Sequence, residues 1–306
     1  MTHERTLAAL AISLAAALWG FDGVVLTPRL TPLPVLFVVF LLHAVPFVLM
    51  QPILGRSPAT LRRLRQLAVG DLLVLALVSG VGGVTGTLAI VKALFLVDFN
   101  QLSVVVLLQK LQPIFAILLA ALLLRERMTV RFLVWAAVAV AGGYLLAFGL
   151  HGPEMDAGSR TAQAAFWAVV AAASFGAATV LSKKLLGTLD FWTATYGRYG
   201  MTTLISGLGL AATGAGFPLA DVTRGHWIVI VIIALTTGTG AIVLYYWGLT
   251  RVRAVTATIC ELSLPLSAVV FDYLVNGSRL GPAQWLGGAL LIGAITRVTL
   301  KGNSAN

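Results

Sequence analysis

The stretch Val104-Val-Val-Leu-Leu-Gln109-Lys110-Leu-Gln112-Pro113-Ile-Phe-Ala-Ile-Leu-Leu-Ala-Ala-Leu-Leu-Leu124 decides the fold. It is long and apolar enough to cross a bilayer, since ~20 residues at 1.5 Å rise span the hydrocarbon. Two amides, a lysine and a proline stand in its middle. Polar groups at that depth are costly against lipid, so this face must look into protein or water. A second stretch carries the same interruption: Thr258-Ile-Cys260-Glu261-Leu-Ser-Leu-Pro265 lies within the apolar segment Ala254–Val275. Aligning Pro113 with Pro265 sets Gln109 over Glu261. Matched interruptions in two halves of a chain mark an internal duplication.

Composition agrees. Hydrophobic residues make up 59% of the 306 residues, charged residues only 10%, and the mean hydropathy is +0.96. A soluble domain lies near 45–50% and 25%. The chain is therefore an all-α polytopic membrane protein, with no segment left over for a soluble domain. The net charge of +10 does not point to nucleic acid, because the cations sit in short loops between apolar spans. The single cysteine, Cys260, precludes an internal disulfide and reads as a small apolar residue. The N-terminal apolar run after Arg5 continues to Leu26 and has a later copy, so it is expected to be a span rather than a signal peptide.

Ten spans are predicted: Thr6–Leu26, Pro32–Leu54, Leu67–Phe95, Asn100–Leu124, Val130–Leu150, Thr161–Leu185, Phe191–Gly214, Trp227–Leu249, Ala254–Val275 and Pro282–Leu300. The third is long enough to tilt or kink near Gly82-Gly83. Ala15-Ala-Ala-Leu-Trp19-Gly20-Phe21 in the first span matches Ala171-Ala-Ala-Ser-Phe175-Gly176-Ala177 in the sixth at an offset of 156. Gly70 and Gly225 are offset by 155, and Pro113 and Pro265 by 152. Five plus five is the simplest account, with units 1–150 and 151–306. Of 21 Lys and Arg residues, 14 fall on the N-terminal side of the spans and 4 on the other. The positive-inside rule then places both termini in the cytoplasm. An odd number of helices per unit makes the two halves inverted, which suits alternating access.

No catalytic constellation, metal-ligand spacing or phosphate-binding loop is present, so neither an enzyme nor a cofactor is expected. What remains to interpret are polar groups at membrane depth. Thr258, Glu261, Pro265 and Asp272 fall on one helical face as a polar seam. Glu261 there meets a substrate amine or a proton, or else pairs with Lys110 or Arg198 to hold the bundle. Gln109 and Gln112 make the matching stripe, as ligands of a polar substrate or as bonds to a neighbouring helix. Trp192, Thr195, Tyr199, Thr202 and Ser206 recur along the seventh span, with Arg198 on its flank. That stripe reads as a surface for stacking a planar substrate whose carboxylate Arg198 would meet, or, at Trp192, as part of an interfacial belt. Trp19 and Asp22 sit in the outer half of the first span and His43 in the second. Tyr245, Tyr246 and Trp247 cluster at the inner end of the eighth. His43 has the intrinsic range for proton coupling, although a lone histidine is more often a structural hydrogen-bonder.

Trp19-Gly20, Gln112-Pro113 followed by Leu124-Arg125-Glu126-Arg127, and Tyr245-Tyr246-Trp247-Gly248-Leu249 resemble the bacterial drug/metabolite transporter superfamily in its EamA-type, ten-helix form, over residues 6–300. Within it the chain is most similar to inner-membrane exporters of aromatic amino acids. The resemblance implies a basket-like bundle with a central cavity, and non-ATP movement of a small molecule. The expectation is a secondary exporter of amino acids, monomeric, in the bacterial inner membrane and in contact with lipid. Candidate substrate-binding residues are Trp19, His43, Gln109, Gln112, Tyr199, Tyr246 and Glu261. Alternatives are a multidrug or other metabolite exporter of the same superfamily and, in a different class, an integral membrane enzyme or a membrane scaffold.

Overall fold

Hydrocarbon offers the backbone no hydrogen-bond partners, so long apolar segments satisfy their own N–H and C=O groups as helices. The computed structural model describes residues 2–97, 105, 108–109, 111–150, 159–214, 216–277 and 280–301, and among these there is helix and no strand. Eight helical segments are long and apolar enough to cross a membrane: His3–Leu30, Val35–Gly55, Val69–Leu96, Val130–Phe148, Ala162–Leu185, Arg224–Leu249, Ala254–Val275 and Pro282–Leu300. Gln112–Leu123 is a shorter apolar helix. The predicted start of the fourth span, with Lys110, lies outside the described residues.

In chain order, α1 covers Thr2–Phe21, α2 Val35–Met50, α3 Pro58–Arg65, α4 Val69–Leu77, α5 Thr87–Leu96, α6 Gln112–Leu123 and α7 Val130–Phe148. Then come α8 Ser159–Leu185, α9 Phe191–Ala212, α10 Arg224–Ile233, α11 Thr239–Leu249, α12 Ala254–Cys260, α13 Ser263–Asn276 and α14 Pro282–Lys301. The short polar α3, capped by the Ser57 hydroxyl, lies in a loop that the hydropathy pattern does not resolve. α9 has 22 residues, but its threonines, glycines, tyrosines and Arg198 keep it out of these eight apolar segments. Its Thr193, Thr195, Tyr199, Thr202 and Ser206 are buried, as befits a helix enclosed by protein. By contrast Leu10, Leu14, Val48, Leu122, Leu208 and Leu274 are exposed, a belt that only lipid can cover.

The spans are interrupted where the sequence is polar or glycine-rich. α1 runs into a π turn at Asp22–Leu26, and the predicted kink at Gly82-Gly83 is a π stretch, Val78–Gly86, joining α4 to α5. Further π turns follow α2 at Gln51–Gly55 and join α10 to α11 at Ala234–Gly238. π turns leave backbone groups less regularly paired and recur at functional sites. The ninth predicted span is two helices, broken at Glu261 and Leu262 between α12 and α13. Pro265 explains the break: it has no N–H for the Glu261 carbonyl, which accepts from Leu264 N–H at 3.0 Å instead.

The two halves interlock. α1 packs on α11 and α13, while α8 packs on α5 and α6. α2 packs on α9, and α7 on α14. Glycines fix two of these crossings. A Cβ on Gly20 would lie 2.6 Å from Leu264 O and 2.9 Å from Ala268 N. A Cβ on Gly176 would lie 2.9 Å from Gln112 O and 3.0 Å from Ala116 N. Only a residue without a side chain lets those backbones approach so closely.

The loops on the N-terminal side are tied to one another. Arg63, in the last turn of α3, bonds Asp190 before α9. Arg251 reaches Glu4 at 2.9 Å, and Arg253 lies 3.7 Å from Glu126. Both Glu126 oxygens also accept backbone N–H groups, Ala254 at 2.9 Å and Val255 at 3.1 Å, so the loop after α6 caps the start of α12.

Candidate functional site

The two interrupted stretches meet. Gln109, Gln112, Pro113, Thr258, Glu261, Leu262, Leu264 and Pro265 line one cavity of about 30 Å³, room for about one or two water molecules. Pro113 starts α6 and Pro265 opens α13, so neither carboxamide nor carboxylate sits on a fully bonded helical turn. Glu261 faces inward at the break. Its Oε1 accepts from Tyr245 OH at 2.7 Å and from Thr179 Oγ1 at 3.0 Å. Its Oε2 accepts from Gln112 Nε2. Tyr245 OH and Thr179 Oγ1 are themselves 3.0 Å apart. The carboxylate is thus held by neutral donors from α6, α8 and α11.

This settles one alternative left open by the sequence. The Arg198 guanidinium does not pair with Glu261. It donates from Nη1 to Tyr246 OH at 3.1 Å, and that hydroxyl also meets Ser182 Oγ at 3.0 Å. The other proposed partner, Lys110, lies outside the described residues. Thr258 completes the cavity wall. It is fully buried, and its Oγ1 has no hydrogen-bond partner among the described residues.

The remaining candidates lie around this centre. Trp19 packs on Tyr245 with ring centroids 5.4 Å apart and donates Nε1 to Thr237 O at 2.9 Å. Asp22 sits one turn further on. Its Oδ1 accepts from Thr27 at 3.0 Å and its Oδ2 from Thr237 Oγ1 at 3.2 Å. His43 is buried beside Tyr199, centroids 5.6 Å apart, and its Nδ1 is 2.8 Å from Val39 O. Tyr246, fully buried, is 6.0 Å from Tyr245. Gln112, Gln109 and Glu261 are therefore brought together directly and Trp19 through Tyr245, whereas His43 and Tyr199 form a separate pair.

Hydroxyls of the seventh-span stripe bond within the protein, Thr202 Oγ1 to Ser79 O at 3.5 Å. Thr195 Oγ1 donates to Phe191 O at 2.7 Å and Ser206 Oγ to Thr202 O at 2.7 Å, both one turn back on the same helix. Trp192 is 45% exposed at the end of α9, as an interfacial residue would be. Thr179 is the site residue that the sequence hides. It lies in an apolar run on α8, and its partner in the first half at the offset of 156 is Gly23, so neither pattern nor repeat marks it. Tyr245 is visible as the first member of the Tyr-Tyr-Trp cluster, although Tyr246 beside it is the more conspicuous candidate.

Membrane-length helices, interrupted around buried polar groups that bond between distant stretches of the chain, mark a polytopic membrane transporter. The chain belongs to the EamA-like transporter family, whose model matches residues 6–148 and 162–300. It is 48% identical over 291 residues to the riboflavin transporter ImpX of Fusobacterium nucleatum, covering 95% of this chain and 97% of that protein. A solved crystal structure shares its fold with a TM-score of 0.68 at 16% identity, over 96% of this chain and 97% of its own. The aromatic amino acid substrate expected from the sequence finds no support in these likenesses.

Proposed function

We propose that the protein is a secondary carrier of riboflavin or a closely related flavin across the bacterial inner membrane, working by alternating access. The observation that carries the substrate is the 48% identity to a riboflavin transporter over nearly the whole chain. The chemistry of the site agrees with it. A flavin is a flat, neutral, aromatic ring edged with carbonyls and an N–H, bearing a hydroxylated tail. Trp19, Tyr199 and Tyr245 offer aromatic faces, and Gln109, Gln112 and His43 offer donors and acceptors. Tyr246 supports the set from behind through Arg198. A ligand of drug size needs ~300–1,000 Å³, and the cavity at the helix break has about 30 Å³. Loading therefore requires the helices around it to part, which is what alternating access provides.

The architecture in this reading is ten crossings, α9 and the span ending in α6 being the two beyond the eight apolar ones, in two inverted units of residues 1–150 and 151–306. Three observations support it. The family model matches twice, at 6–148 and 162–300. The packing pairs follow a two-fold pattern: α1 with α11 and α13 on one side, α8 with α5 and α6 on the other. The backbone contacts of Gly20 at Leu264 and Ala268 recur for Gly176 at Gln112 and Ala116, the repeat offset of 152 in both cases. The ion pairs Arg63–Asp190, Arg251–Glu4 and Arg253–Glu126 join loops that the charge bias assigns to one face, the cytoplasmic one. A secondary carrier is reversible, so the direction of net flux follows the gradients imposed on it.

The test is counterflow in proteoliposomes. Vesicles preloaded with unlabelled riboflavin are expected to take up labelled riboflavin saturably, with competition by flavin analogues and none by phenylalanine or tryptophan. Flux of aromatic amino acids without flavin flux would overturn the substrate.

A further inference from the structure

Glu261 poses a problem that a neutral substrate does not solve. An ionised carboxylate enclosed at membrane depth is costly unless a counter-charge accompanies it, and a flavin brings none. No described Lys, Arg or His donates to either Glu261 oxygen; its partners are Tyr245, Thr179 and Gln112. The charged and titratable groups on the elements packed against the break, Tyr245 apart, are turned to other partners. From α11 come the phenols of Tyr245 and Tyr246. From α9, Arg198 is bonded to Tyr246. From α8, Lys183 is committed to Leu249 O at 2.7 Å and Thr250 O. On α12 itself the Cys260 thiol turns to Thr299 on α14, 3.8 Å away. α1 and α6 bring aromatic and amide groups, Trp19 and Gln112.

From this arrangement we infer that Glu261 is the proton-binding site of the carrier, taking up and releasing one proton through the cavity at the α12–α13 break in each transport cycle. The inference rests on the transport reading above. Two observations carry it. First, the partners of Glu261 are hydroxyls and an amide. Each is both donor and acceptor, so the cluster can be satisfied whether the carboxyl is charged or neutral. Gln112 needs only to turn its amide to present Oε1. Guanidinium or ammonium partners would allow the charged form alone. Second, the cavity holds an unpartnered group in wait. Thr258 Oγ1, fully buried on its wall, has lone pairs and a hydrogen to give, and the space is that of one or two waters. A proton arriving from bulk water on the open side forms the O–H bond at Oε2 and is returned to bulk water on the other side, with no electron changing hands. A metal cation fits poorly, since it would have to displace three donors that already point at the carboxylate.

Two experiments on the reconstituted full-length chain test this. Infrared difference spectra between alkaline and acid buffer are expected to show a protonated-carboxyl C=O band that disappears in Glu261→Gln and persists in Asp22→Asn. A pH gradient is expected to drive riboflavin accumulation in the wild type, and Glu261→Gln to lose at least tenfold more of that accumulation than of counterflow. Absence of a Glu261-dependent band at any pH would overturn the proton site, and so would accumulation driven by a sodium gradient and not by a pH gradient. The band without any riboflavin counterflow would sink the flavin reading and leave the proton site standing.

Discussion

Gln112 and Glu261, 149 residues apart, are joined by a hydrogen bond between the two interrupted stretches. Each lies where a proline breaks the helical ladder, so each side chain reaches across a gap that a regular helix would close. The bond links α6 to the α12–α13 break and sets one wall of the cavity.

Removing that donor should be felt. Gln112→Ala leaves Glu261 Oε2 without its described partner, and interhelical bonds of this kind contribute ~0.6–2 kcal/mol in membrane proteins. The expected outcome is a fall of a few degrees in the detergent-solubilised melting temperature. Gln112→Glu sets two carboxyls together and should lower it further at neutral pH than at acid pH.

Tyr245→Phe deletes the hydroxyl that bonds both Glu261 and Thr179 while keeping the ring against Trp19. Flavin flux is expected to drop severalfold, with thermal stability reduced by about 1 kcal/mol. Tyr245→Ala should cost considerably more stability, because the aromatic packing goes as well. A Phe variant with wild-type flux would remove Tyr245 from the pathway.

The crossings at Gly20 and Gly176 predict a matched pair of failures. Valine at either position must push α13 or α6 away, with ~1–3 kcal/mol of overpacking. Both variants are expected to lower the melting temperature to a similar extent and to abolish flux. Gly23→Ala is the control, because a Cβ there meets nothing within 4 Å. Loss of folding in Gly23→Ala alone would contradict the packing described.

Asp190 gives a pH dependence outside the membrane-spanning segments. It caps α9 through the Trp192 and Thr193 N–H groups at 3.1 Å and pairs with Arg63. Burial pushes its carboxyl up, but the Thr193 bonds and the Arg63 guanidinium outweigh this and hold it below the ordinary carboxylate value. A depressed carboxylate adds stability above its unfolded value, and that contribution is lost as the pH falls through the folded one. Asp190→Ala is therefore expected to lower the melting temperature at neutral pH and to match the wild type more closely below about pH 4, as a thermal-shift series across pH would read.

Eight membrane-length helices were legible because lipid imposes a simple rule on composition. Gly20 and Gly176 turn out to mark equivalent backbone crossings, and Gln109, Gln112 and Glu261 share one cavity. The rest was not written in hydropathy. The break after Cys260 depends on where the Glu261 carbonyl finds a donor, which periodicity cannot show. The threonines of α9 looked like a cavity face, but the Thr195 hydroxyl bonds back to Phe191 O on its own helix and that of Thr202 to Ser79 O on the neighbouring π stretch. Thr179 sits in an apolar run, and only tertiary packing brings it to Glu261. The substrate was legible least of all, since tryptophan and tyrosine faces suit an aromatic amino acid as well as a flavin.

Riboflavin counterflow in proteoliposomes of the purified protein decides whether this chain carries a flavin. Saturable uptake of labelled riboflavin into vesicles preloaded with unlabelled riboflavin, reduced severalfold by Tyr245→Phe, is expected of such a carrier. Uptake no greater than in protein-free vesicles, from a preparation that melts cooperatively, would contradict it.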